Sequence, residues 1–152
     1  MIQKSRAMKA RDNKLRKVAA AVIERQGKVL VARRRPGLVA GGLWEFPGGK
    51  VEEGEDVEKC LARELEEELG VRARVGDFLC SVPFVGSSAS FELVVHRAEL
   101  HSDAFRLTDH DEVRWLEPAE MDESLFSKPD RPVVRMLAGR RVPGTRREGR
   151  GA

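Results

Sequence analysis

Three carboxylates, Glu64, Glu67 and Glu68, close a 23-residue acidic stretch, GKVEEGEDVEKCLARELEEELGV, that spans residues 49–71. On a helix, positions i, i+3 and i+4 share one face. Like charges on such a face cost about 0.2–0.5 kcal/mol per pair in an isolated helix, a cost that a bound cation offsets. Oxygen donors clustered without Cys or His suit a hard divalent ion, Mg²⁺ or Mn²⁺. The competing reading is a solvated acidic helix face. Glu52, Glu53, Glu58 and Glu66 are read that way.

The surroundings favour chemistry. The stretch fits the pattern G-x5-E-x7-R-E-U-x-E-E-x-G-U, with U a bulky aliphatic residue, at Gly49, Glu55, Arg63, Glu64, Leu65, Glu67, Glu68, Gly70 and Val71. Nine residues at fixed spacing rarely coincide by chance. The segment resembles the Nudix hydrolase family, and the preceding Leu43-Trp44-Glu45-Phe46-Pro47-Gly48 resembles its MutT-like branch. Weaker similarity runs over residues 18–137.

That resemblance implies a divalent metal held by Glu64, Glu67, Glu68 and a backbone carbonyl at Gly48 or Gly49. Taken alone, the glycine pair could equally be an ordinary turn. Arg63 is implied to orient a metal-binding Glu, against the plainer reading of a surface ion pair worth about 0–1 kcal/mol. Glu55 is implied to support the loop. The catalytic base is left open between a motif Glu, with Glu64 and Glu67 favoured, and a carboxylate of the later loop, Asp109 or Glu112. That loop also reads as merely acidic and solvated.

For substrate contacts, Arg34 stands where MutT-like enzymes place a nucleotide-contacting arginine. Trp44 and Phe46 line a cleft or belong to the core, and Phe84 is a candidate for base stacking. Asp130 either meets an exocyclic amino group of a base, being acceptor-only when ionised, or caps the last helix. His96, His101 and His110 show no ligand spacing and are read as surface or strand histidines.

The implied activity is Mg²⁺-dependent cleavage of nucleoside triphosphates, of the 8-oxo-dGTP or CTP type, to monophosphate and pyrophosphate. Such an enzyme would sanitise the nucleotide pool. Other diphosphate-linked substrates (ADP-ribose, dinucleoside polyphosphates, capped RNA) stay open. So does a different class, a nucleic-acid-associated module using the basic tails. The tails read more simply as solubilising ends.

Composition agrees with an enzyme that must receive a polyanion. The net charge of +3 on 152 residues is unevenly spread. Residues 1–17 carry +6 and residues 139–152 carry +4, which leaves −7 for the rest; the acidic stretch alone carries −6. A pocket so acidic needs metal ions to invert its field before a polyphosphate can enter. Hydrophobic residues at 41% and charged residues at 35% describe one highly charged globule, expected in a reducing cytoplasm as a monomer or homodimer. No apolar run approaches a membrane span. The two cysteines make no disulfide framework, and Cys60 is expected as a buried thiol.

The elements that must position these residues follow from periodicity and turn residues. Residues 18–23 and 29–32 suggest a hairpin about the turn at Arg25-Gln26-Gly27. A glycine-rich loop runs from Pro36 to Gly49. A helix is predicted from Glu55 to Leu69, with Val57, Leu61, Leu65 and Leu69 as its buried stripe and Gly70 as its left-handed stop. Strands are predicted over 73–82, 91–100 and 113–116, with a turn at 86–88. Short helices are predicted over 118–121 and 132–139. The order argues for an α+β fold. The resemblance implies an α/β/α sandwich with a mixed sheet and a loop–helix–loop motif. The domain should run from 17 to 139, between a flexible basic segment, 1–16, and a disordered Arg/Gly-rich tail, 140–152.

Overall fold

The computed structural model describes residues 16–87 and 89–139, and the backbone of 146–147. The rest of the two basic tails, and the expectations that fall on them, lie outside the described residues. The elements are β1 (Arg16–Val22), β2 (Glu24–Arg25), β3 (Lys28–Arg34), β4 (Trp44–Glu45), β5 (Gly48–Lys50), α1 (Val57–Leu69), β6 (Ala73–Val85), β7 (Ser90–Leu100), β8 (His110–Leu116), α2 (Arg131–Leu137) and β9 (Arg146–Arg147). Three single-turn 3₁₀ helices, Pro118–Glu120, Glu123–Leu125 and Lys128–Asp130, lead into α2. Among the described residues no helix is long and apolar enough to cross a membrane.

The strands form two sheets. One has the order β5-β1-β7-β6-β9, with β1 and β7 parallel and the other pairs antiparallel. The other is built on β3, which β8 follows from Val29 to Arg34, while β2 pairs with Lys28 and Val29 and β4 with Ala32 and Arg33. The expected hairpin therefore needs correction. The Gln26-Gly27 turn is present, with φ of 55° and 77°, but it joins β2 to β3. The residues of β1 pair in the other sheet. The chain changes sheets at Ile23, whose carbonyl still accepts the Leu30 amide at 3.0 Å. Alternate apolar residues of 18–23 point to opposite faces, and both faces are covered, so the run is buried on both sides.

Two cores result. On one face α1 packs Cys60, Leu61, Leu65 and Leu69 against Ala19, Ala21, Ile23 and Leu30. On the other, Val133, Val134 and Met136 of α2 join Phe126, Trp44 and Phe46 over Ala20, Val22, Val29 and Val31. Helices on both faces of mixed sheets make the expected α/β/α sandwich. Leu61, Leu65 and Leu69 are fully buried, each contributing about 1.5–3 kcal/mol of hydrophobic stabilisation.

Helix α1 starts two residues later than predicted. Asp56 is its N-cap, and its Oδ1 accepts the Lys59 amide at 2.8 Å. Gly70 ends the helix at φ 69°, giving its amide to the Glu66 carbonyl at 2.9 Å. The glycine-rich loop also hides two short strands, β4 and β5, which carry the chain from one sheet to the other.

Candidate metal and nucleotide site

The acidic face of α1 meets the loop at Gly48 and Gly49. A Cβ on Gly49 would lie 2.4 Å from Cδ of Glu64, so the Glu64 carboxylate rests directly on bare backbone. The Gly48 amide donates to Glu68 Oε1 at 3.1 Å. Glu68 is only 6% exposed. Burial pushes its carboxyl up to about 8, with Glu45, Glu64 and Asp109 adding repulsion that the Gly48 amide partly relieves. Burial also raises the Glu64 carboxyl, against the pull of Arg63. Glu67 stays largely exposed at the rim.

Arg63 organises this face. Its Nε and Nη2 hold the two Glu55 oxygens at 2.8 and 3.0 Å, and its Nη1 reaches Glu64 at 3.0 Å and Glu67 at 3.3 Å. The fork holds the Glu55 carboxyl down at about 2. Two bonds to the Glu55 carboxylate fix the guanidinium in direction as well as distance, and its remaining nitrogen reaches both Glu64 and Glu67. Glu55 also accepts the Glu52 amide at 3.1 Å, which ties the loop to the helix.

The later loop is brought to the same place, but its two candidate bases part company. Asp109 is exposed and close enough to Glu68 to raise its pKa. Glu112 is turned into ion pairs with Arg114 and with Arg33. Between them lies His110, fully buried. Its Nε2 sits 2.9 Å from Glu45 Oε2, and its Nδ1 sits 3.7 Å from Glu68 Oε2. Glu45, Glu68 and His110 form a group able to hold a metal ion, and reading the sequence missed both Glu45 and His110. They stand 65 residues apart in sequence. They meet because β4 and β8 both pair with the end of β3, at Ala32–Glu45 and Arg34–His110. Nothing in the local spacing could show this.

A second group of side chains gathers around Glu45 and Asp130. Arg34 approaches Glu45 at 3.6 Å and donates to the Val39 carbonyl. Asp130 occupies the N-cap position of α2, but its side chain makes no capping hydrogen bond to that helix. Its Oδ2 accepts the Phe46 amide and the Ser127 hydroxyl, both at 3.1 Å. It is 5% exposed, and burial with repulsion from Glu45 pushes it up to about 7. Trp44 and Phe46 are core residues: Phe46 packs on Phe126 at 5.7 Å, and the guanidiniums of Arg33 and Arg114 approach the Trp44 ring at 5.7 and 5.0 Å. Phe84 is half-buried and stacked on Phe91 at 5.2 Å. His96, on β7, is buried with Nδ1 3.0 Å from the Gly76 carbonyl, away from this site. Cys60 is a buried thiol, pushed up to about 12 by burial, and lies against the Gly49 and Lys50 carbonyls.

Two raised carboxyls give the protein an unusual pH dependence. The folded state keeps protons on Glu68 and Asp130 that the unfolded chain, with ordinary values of 4.5 and 3.8, has already released. Stability contributed this way falls as pH rises through that interval. The metal-free protein is expected to lose melting temperature steadily between pH 5 and 8, and a saturating divalent ion to restore the Glu68 share. Calorimetric melts across that range check it; a rise in melting temperature would contradict the assigned burial.

Comparison with known proteins agrees with this geometry. The model of the NUDIX domain matches residues 13–137. A CTP pyrophosphohydrolase of Escherichia coli is 37% identical over 125 residues, covering 80% of this chain and 90% of the relative. A putative 8-oxo-dGTP diphosphatase 2 of Mycobacterium tuberculosis is 37% identical over 129 residues, covering 80% and 86%. The solution structure of the E. coli ORF135 protein superposes with a TM-score of 0.73 at 34% identity, covering 83% of this chain and 90% of that one. A motif helix seated on paired glycines, a sandwich of matching topology and relatives spanning most of both chains lead to one conclusion: the chain belongs to the Nudix hydrolase family, in its MutT-like branch.

Proposed function

We propose that this chain is a divalent-metal-dependent nucleoside triphosphate pyrophosphohydrolase that releases a nucleoside monophosphate and pyrophosphate, with Mg²⁺, or Mn²⁺ in its place, as the ion. The observation that carries the proposal is the pair of carboxyls at the glycines: Glu68, buried and held by the Gly48 amide, beside Glu64, which rests on bare Gly49. Such a pair fits a cation. Glu64, Glu67, Glu68 and a carbonyl of the glycine pair would hold the ion. When bound, the ion neutralises phosphate charge and makes a bound water more acidic.

The chain's own residues do the rest. Arg63 keeps Glu64 and Glu67 aimed at the cleft. Asp109 is better placed than Glu112 to accept the proton of an attacking water, because Glu112 is already committed to two arginines. Arg34, Phe84 and Asp130 are assigned to the nucleotide. Trp44 and Phe46 act from beneath, since the Phe46 amide fixes Asp130. The carboxyl of Asp130, titrating near neutrality, can accept from an amino group or donate to a ring nitrogen or carbonyl. That versatility suits cytosine or an oxidised guanine, in keeping with the names of the relatives.

A nucleotide panel with Mg²⁺ tests the reading. Pyrophosphate rather than phosphate should appear from CTP or 8-oxo-dGTP. Asp130→Asn should raise KM for the preferred base about tenfold, while leaving triphosphate cleavage of poor substrates unchanged. Turnover confined to ADP-ribose, dinucleoside polyphosphates or capped RNA would redirect the assignment.

A further inference from the structure

The buried imidazole of His110 has one nitrogen accounted for and one not. Its Nε2 is 2.9 Å from Glu45 Oε2. A carboxylate only accepts, so Nε2 carries the hydrogen and Nδ1 presents a lone pair. Among the described residues, that Nδ1 has no hydrogen-bond partner although the ring is fully buried. An orphaned buried nitrogen is costly, and it faces Glu68 Oε2 at 3.7 Å. The other Glu68 oxygen is occupied by the Gly48 amide. Two free donor atoms, one nitrogen and one oxygen, therefore lie within reach of a single ion. Bonds of about 2.1 Å from each would meet at an angle of about 120°, and a small approach of the two atoms closes it to the tetrahedral or octahedral value. Glu45 on the far ring nitrogen completes the carboxylate–histidine–metal relay that fixes ring orientation in metal sites.

We infer that His110, through Nδ1, is a nitrogen ligand of the divalent ion seated on Glu68, with Glu45 holding the ring in place. The inference rests on the ion site proposed above and sharpens its chemistry. A site of carboxylates alone suits Mg²⁺; an imidazole donor shifts preference toward Mn²⁺ and other first-row ions, which bind nitrogen more strongly. The ring also links the ion's seat to Glu45, the carboxylate beside Arg34 and near Asp130, so both halves of the cleft share one rigid connection.

Electron spin echo envelope modulation of Mn²⁺ bound to the full chain reads nitrogen ligation directly. The wild-type protein should show ¹⁴N coupling of a directly bound imidazole. In His110→Gln that coupling should vanish, and the Mn²⁺ dissociation constant should rise about tenfold or more while that for Mg²⁺ changes much less. Glu45→Gln should retain the coupling with affinity weakened about 10–100-fold. Bound Mn²⁺ without nitrogen coupling in the wild type would overturn the role of His110 and leave the carboxylate site intact. Absence of any Mn²⁺ binding would overturn both.

Discussion

Replacing Glu67 by Gln is expected to lower turnover about 10²–10⁴-fold, the range for removing a group that binds or activates the attacking water. The same change should move the melting temperature by no more than about 1–2 °C. The two halves of this expectation come from one geometry. The Glu67 side chain is 59% exposed and its ionic contact is with Arg63, one helical turn away at 3.3 Å. An exposed pair at that spacing is worth about 0.3–0.5 kcal/mol. Glu67 therefore has little structural duty, and its replacement should fall on the proposed ion site and not on the fold. Glu68, buried under the loop, offers no such separation. Turnover with Mg²⁺ and thermal melts of the purified variant decide the matter. Wild-type turnover would sink the assigned site.

The neighbouring glycines should fail in opposite ways. A methyl group on Gly48 would sit 1.9 Å from the Ala19 carbonyl oxygen and 2.8 Å from Ala20 Cα. Both belong to the interior strand β1, paired on both sides, so neither can yield without breaking the pairing of β1 with β5. Gly48→Ala should destabilise by at least about 4 kcal/mol, among the largest effects of single substitutions, and lower the melting temperature by about 10 °C or more. At Gly49 the obstacle is the end of a flexible side chain, the Glu64 carboxylate at 2.4 Å. Gly49→Ala should leave the fold within about 1 kcal/mol of wild type, displace Glu64 and cut activity. Urea denaturation beside turnover separates the two outcomes; equal destabilisation by both would refute the distinction.

Those contrasts show what a sequence can and cannot disclose. Glu64, Glu67, Glu68 and Arg63 lie within two turns of one helix, where spacing alone fixes which side chains share a face. Gly70 and the leucine stripe were legible for the same reason. The hairpin reading failed because pairing is decided between segments. Residues 18–23 are apolar on both faces, and such a run suits the middle of a buried sheet better than one arm of a hairpin. The strands β4 and β5 were hidden by glycine and proline, which mark loops locally but here permit close approach to β1. His110 and Glu45 escaped notice because their meeting depends on β3 holding β4 and β8 together. Asp130 was open between two roles; it stands at the N-cap position of α2, while its carboxylate is bonded to Phe46 and Ser127 instead of to the helix amides.

The passage from β4 to β5 carries a mechanical consequence. Glu45 rides on one sheet and Gly48 on the other, with Phe46 and Pro47 bridging them, and Glu68 touches partners from both. The candidate ion site thus lies on a seam between the two sheets. Any splaying of the two halves, whether from heat, from a cavity beneath Phe126 or from a bulky neighbour, would pull the ion's seat apart before the molecule as a whole came undone, so inactivation should precede unfolding.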